Sequence, residues 1–152
     1  MKKIKGLFPK IYDFENLFCA YKAAIKCKRY RPDVMQYTDC LEDNLIILQN
    51  ELIWGQYSVG TYNIFYVYEP KKRLIMSLLF KDRVAQHAIY RQVNPIFEKK
   101  FIFDSYACRV GEGTHKAIDR LQYWLRQTDR KPQKYYYLKL DVSKYFYRID
   151  HS

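Results

Sequence analysis

The chain has 152 residues, of which 49% are hydrophobic and 28% charged, enough for one domain with a core and too few for two comfortable ones. Lys and Arg outnumber Asp and Glu by 27 to 16, a net charge of +11, and this balance favours a polyanionic partner because each cation laid on a phosphate releases a condensed counterion. The four cysteines show no C-x-x-C spacing and no paired histidines, which argues against a zinc site or a disulfide framework and predicts buried thiols in a reduced, cytoplasmic protein.

"MKKIKGLF" begins basic, but Lys10, Asp13 and Glu15 interrupt the apolar stretch behind it, so neither a signal peptide nor a membrane span is expected. In "DFENLFCAYKAAIKCK", Leu17, Ala20, Tyr21, Ala24 and Ile25 fall on one helical face, and Asp13 is placed to cap it. "RPD" at 31–33 breaks that helix. A second one, "LEDNLIILQNELIW", ends at Gly55.

The hydrophobic period then shortens to two. "YNIFYVYE" and "RLIMSLL" flank "PKK", a β-hairpin pattern whose turn carries Lys71, Lys72 and Arg73. A helix resumes near Lys81 and is expected to stop before Asn94-Pro95. "SYACRVGEGTH" is a loop or short strand. Thr114 is expected to cap a helix with Ala117, Ile118, Leu121, Trp124 and Leu125 on one face. "TDRKPQ" is a surface connection, and "YYYLKLDV" is expected to be a strand. Helices, a hairpin, more helices and a late strand make the class α+β.

Sixteen Tyr and nine Phe add stacking surface of the kind that RNA and single-strand binders use. Asp141, at the end of the late strand, would by itself be an ordinary turn residue. Its company changes that reading. "EPKKRLIMSLLFKDRVAQHAI", "SYACRVGEGTHKAI" and "KLDVSKYFYRIDH" occur in the order found in bacterial reverse transcriptases. The chain resembles most closely those of diversity-generating retroelements, with group II intron and retron enzymes more distant.

The resemblance implies a right-hand polymerase, with the N-terminal region and fingers over 1–134 and the start of the palm over 135–152. It makes Asp141 the first catalytic aspartate and a ligand, with the Val142 carbonyl, of a two-magnesium site. Phe146 would be the steric gate against a 2′-hydroxyl, the alternative being a core aromatic beside Tyr145 and Tyr147. Arg73 and Lys81 would contact the triphosphate of a dNTP, or Lys71 and Lys72 in their stead, the alternative being a solvated basic turn. Arg109 would lie against the RNA template, with Gly111 and Gly113 letting the backbone approach it. Glu112 departs from the pattern, standing where relatives commonly carry Lys or Arg. His87 and His115 are expected to be structural.

"YTDC" at 37–40 is similar to the Tyr-x-Asp-Asp motif, but it precedes the other motifs and ends in Cys40, so it is read as the approach to the second helix. The Tyr-x-Asp-Asp motif and thumb are thus expected to be missing, which makes the chain a partial RNA-directed DNA polymerase, inactive alone. Its implied partners are RNA template, RNA–DNA hybrid and dNTP, with a retroelement accessory protein as a further candidate and no membrane. The competing reading is a non-catalytic basic module that binds RNA.

Overall fold

Asp13 caps the first long helix as its position ahead of an apolar face requires. Its Oδ2 accepts the backbone N–H of Asn16 at 3.2 Å, opening α2 (Phe14–Ala24). The computed structural model describes residues 4–150, apart from the side chains of Phe146 and Tyr147. Around α2 the chain order is α1 (Leu7–Tyr12), α2, α3 (Pro32–Asp39), α4 (Leu41–Ile53), β1 (Asn63–Val67), β2 (Arg73–Ser77), α5 (Phe80–Glu98) and α6 (Thr114–Asp129). A single 3-10 turn follows at Tyr145–Arg148. Six helices and one two-stranded antiparallel sheet among the described residues are an α+β composition. No helix among them is long and apolar enough to cross a membrane.

The chain forms two compact units, Met1–Phe101 and Ile102–Ser152. In the first, α2 lies along α5, with α1, α3 and α4 packed around the pair. Leu17, Val34, Leu45, Leu48 and Val84 are fully buried there. Burial of such a side chain contributes about 1.5–3 kcal/mol.

One polar residue crosses this core. Asn16 donates from Nδ2 to the carbonyls of Ile11 and Ala88, at 3.0 and 3.2 Å. Its Oδ1 accepts from Arg91 Nε and Gln92 Nε2, at 3.2 and 2.8 Å. Every hydrogen-bonding atom of the buried amide is satisfied, so it ties α1, α2 and α5 together without a desolvation penalty.

Helix ends follow local chemistry. Gly55 adopts φ 66°, while Gln56 N–H reaches the Glu51 carbonyl at 2.8 Å and Gly55 N–H reaches that of Leu52 at 3.3 Å. This is the Schellman closure expected of a glycine just past the last helical turn. Pro32 occupies the first turn of α3, where its missing N–H costs nothing. "YTDC" spans the end of α3 and the junction with α4, as its place in the chain implied.

Four local expectations need correction. Helix α5 does not stop before Pro95 but runs through it to Glu98. The bonds from Asn16 to Ala88, Arg91 and Gln92 fix the axis up to the proline, and one absent N–H so near a helix end breaks a single rung. Gly113 rather than Thr114 is the N-cap of α6, and Thr114 is its first residue. The extended backbone of Gly113 presents its carbonyl to Ala117 N–H at 2.9 Å.

Residues 135–142 form no strand. A strand exists only as one side of a ladder, and among the described residues the only sheet is β1 with β2. The thiols are not buried either: Cys19 is half-buried and Cys27, Cys40 and Cys108 are exposed. Cys27 and Cys108 lie at positive φ in turns, and Cys40 sits at the start of α4, so these positions face outward.

In the second unit, no residue of α6 is buried. Ile118, Leu121, Trp124 and Leu125 make the apolar stripe that their spacing implied, and all four are exposed. The division expected at residue 134 falls inside this unit.

Candidate nucleic-acid interface

The alternating segments pair as a hairpin in the register Asn63↔Ser77, Ile64↔Met76, Phe65↔Ile75, Tyr66↔Leu74 and Val67↔Arg73. Ile64, Tyr66, Leu74 and Met76 share one face, with Phe65, Val67 and Ile75 on the other. Among the described residues, no helix of the first unit covers either face. Residues 68–72 join the strands. Lys72 Nζ stands 4.5 Å from the centre of the Tyr66 ring and 5.8 Å from that of Tyr68. Cations interleaved with aromatic rings can meet phosphates and bases together.

The root of the hairpin is fixed by groups that sequence reading missed. Asp82, in the first turn of α5, is only 1% exposed. Its Oδ1 accepts the Tyr57 hydroxyl at 2.8 Å and its Oδ2 accepts Gly60 N–H at 3.1 Å. The segment between α4 and β1 is thereby held against the start of α5. A Cβ on Gly60 would stand 2.6 Å from Leu79 Cδ1 and 3.2 Å from Asp82 Oδ2, so this close approach suits a residue without a side chain. Burial and the bond to Asp82 push the Tyr57 phenol well above its ordinary pKa.

Arg83 secures the end of β2, bonding Ser77 Oγ at 2.7 Å and the Leu78 carbonyl at 3.4 Å. The available clue was the triplet Lys81-Asp82-Arg83 at a helix start, where a carboxylate favours the dipole.

The two residues assigned to the triphosphate sit at opposite ends of β2. Arg73 is exposed at the turn end, and Lys81 lies beyond the other, in α5. About 13 Å of strand separates Arg73 from Ser77, so the structure does not set the two cations side by side. Lys81 Nζ is held by both carboxylate oxygens of Glu51, at 3.1 and 2.9 Å, and stands 5.7 Å from the centre of the Tyr57 ring. Lys71 and Lys72 are exposed in the turn. His87, on α5, has its pKa lowered by burial, with Lys28 and Arg83 adding to the effect. His115 lies in the first turn of α6.

Arg109 turns into its own loop, donating from Nη1 to the Ser105 carbonyl at 2.7 Å and to that of Ile102 at 3.4 Å. Gly111 takes φ 76°, a left-handed conformation that glycine reaches without strain, and Gly113 is extended. Space around both is open. Glu112 pairs with Lys116 at 2.7 Å, a helix-start ion pair at the position that departs from the pattern.

Asp141 and Val142 are exposed and outside any regular element. Phe146 lies in the 3-10 turn, with its side chain outside the described residues. Among the described residues, no group of three or more His, Cys, Asp or Glu side chains comes together to hold a metal.

No family model matches the sequence. The chain is similar to the protein named nuclear intron maturase 2, mitochondrial, of Arabidopsis thaliana, at 27% identity over 92 residues, which takes in 50% of this chain and 12% of the maturase.

Proposed function

We propose that this chain supplies the fingers and the opening of the palm of a reverse transcriptase of the retroelement type, whose hairpin grips an RNA template or RNA–DNA hybrid and a dNTP. The observation that carries the reading is the basic, aromatic hairpin locked at its root to the helix bearing Lys81 and Asp82. A fingertip that closes over a polyanion needs cations at its tip and a rigid root, and this element has both. The ordered motifs support the same reading, as does the partial likeness to a protein whose name ties it to introns.

In this reading Arg73 and Lys81 act on the triphosphate from the two ends of β2, Arg109 with Gly111 and Gly113 shapes the template loop, and Phe146 gates the sugar. Asp141 and the Val142 carbonyl would belong to a magnesium site completed by further carboxylates. The ions would neutralise charge on the phosphates.

A second reading, a non-catalytic RNA-binding module, is favoured by the exposed setting of Asp141 outside any metal-holding group. Titration with labelled RNA at two salt concentrations tests what both readings share. Affinity should fall steeply with salt, and Lys71, Lys72 and Arg73 replaced together by Ala should weaken binding and flatten the salt slope. Binding indifferent to salt would count against both. Dependence of polymerisation on Asp141 separates them.

A further inference from the structure

A second set of groups with nucleic-acid chemistry lies wholly inside the unit Ile102–Ser152. Arg120, near the middle of α6, has its guanidinium carbon 5.2 Å from the centre of the Phe103 ring, 5.4 Å from that of Tyr123 and 5.0 Å from that of Trp124. Asp104 holds Arg120 Nε at 3.0 Å and also accepts the Tyr106 hydroxyl at 2.9 Å. The loop before α6 and the helix itself thus fix the guanidinium from two sides. Its two outer nitrogens have no protein partner among the described residues.

In a core, three rings around an arginine would be covered. Here Phe103 is 76% exposed, Tyr123 52% and Trp124 44%. Hydrophobic burial does not account for large rings held in place yet left wet. A planar cation among exposed rings offers flat, polarisable surfaces to a nucleobase and outward N–H groups to the attached phosphate. Lys116 lies one helical turn before Arg120, and Arg120 lies one turn before Trp124, so two cations and a ring follow one another along one helix stripe.

We infer that Arg120, Phe103, Tyr123 and Trp124 form a stacking site for an unpaired base of single-stranded RNA, with Arg120 also bonding the neighbouring phosphate. The inference rests on the proposed RNA-binding role and adds a preference for unpaired over duplex RNA, because bases stacked in a duplex do not present their faces. Ile118, Leu121 and Leu125 lack cations among them and are not part of the site.

The chain has two tryptophans, so Trp54→Phe leaves Trp124 as the only one. That variant is titrated with a single-stranded oligoadenylate and with an RNA duplex of the same length, at fixed salt, following both tryptophan emission and the anisotropy of a label on the RNA. Single strand should quench Trp124, and duplex should not. In an otherwise unaltered chain, Trp124→Ala and Arg120→Ala should each weaken single-strand binding about tenfold, with duplex affinity nearly unchanged, while Trp124→Phe should retain most of it.

Single-strand binding seen by anisotropy without quenching overturns this site and leaves the hairpin reading standing. Equal losses for single strand and duplex in both the Ala and Phe variants also overturn it. Absence of binding to either RNA overturns the site and the RNA-binding role together.

Discussion

The Tyr57 hydroxyl donates to Oδ1 of Asp82 at 2.8 Å, joining the segment before the hairpin to the helix after it. These two residues stand 25 positions apart in sequence, with the whole hairpin between them. The bond therefore closes a loop around β1 and β2, and the same carboxylate accepts Gly60 N–H on its other oxygen.

Removing that acceptor should be costly. Asp82→Ala leaves a phenol and a backbone N–H without their partner, and should lower stability by on the order of 3 kcal/mol in urea unfolding. Tyr57→Phe should cost about 1 kcal/mol. Tyr37 makes the contrast, since its buried hydroxyl has no hydrogen-bond partner among the described residues. Tyr37→Phe should be neutral or mildly stabilising. An equal loss in the two Tyr→Phe variants would contradict this assignment.

The same phenols set an alkaline limit. Burial is the main force raising the pKa of both Tyr37 and Tyr57 in the folded chain. The unfolded chain therefore loses these protons first, and the stabilisation present below about pH 10 falls away as pH rises beyond it. The acid side has one contributor of known direction. Burial lowers the pKa of His87, so as pH falls through 6.5 the unfolded chain takes up the proton first and stability declines, levelling below the folded pKa. Urea midpoints measured from pH 8 to pH 5 should show this decline, and His87→Gln should reduce it.

Glu51 competes with any anion for Lys81. The pair is about a third exposed, so breaking it by Glu51→Gln should change stability by less than about 1 kcal/mol. If Lys81 serves a triphosphate, the same change should raise dNTP affinity severalfold in equilibrium dialysis. Lys81→Ala should lower it.

The roles proposed for Asp141 and Phe146 are tested by primer extension with a polymerase that contains this sequence. Asp141→Asn should reduce primer extension by several orders of magnitude, each factor of ten representing about 1.4 kcal/mol of transition-state stabilisation, while RNA binding persists. Phe146→Ala should let ribonucleotides compete with deoxyribonucleotides. Normal extension by the Asn variant would return Asp141 to the role of a turn residue.

What could be read from the residues was what depends on near neighbours. The face of α2, its Asp13 cap, the Gly55 closure of α4 and the pairing of β1 with β2 are set within a few positions, so periodicity and turn chemistry reveal them. The course of α5 through Pro95 depends on a bond from Asn16, 72 positions from Ala88, which no local window contains. Asp82 escapes a local reading for the same reason: its partners lie 22 and 25 residues earlier. The ring cluster around Arg120 combines residues at helical spacing with Phe103 in a preceding loop, and no helical spacing reaches Phe103. The late strand misled because alternation marks a segment fit to pair and cannot supply the partner.

The hairpin carries apolar side chains on both faces, and both outer backbone edges lack a neighbouring strand among the described residues. Such a ribbon is a template for its own copies, since an edge of unpaired N–H and C=O groups invites another strand and the faces invite stacking. Lys71, Lys72 and Arg73 concentrate positive charge at one end, and two ribbons brought into register would set these charges against each other. The cations that suit the tip to a polyanion therefore also act as gatekeepers of solubility. An RNA strand that neutralises them removes the guard, so a complex lacking a cover for the hairpin would be more prone to fibrous self-assembly than the protein alone.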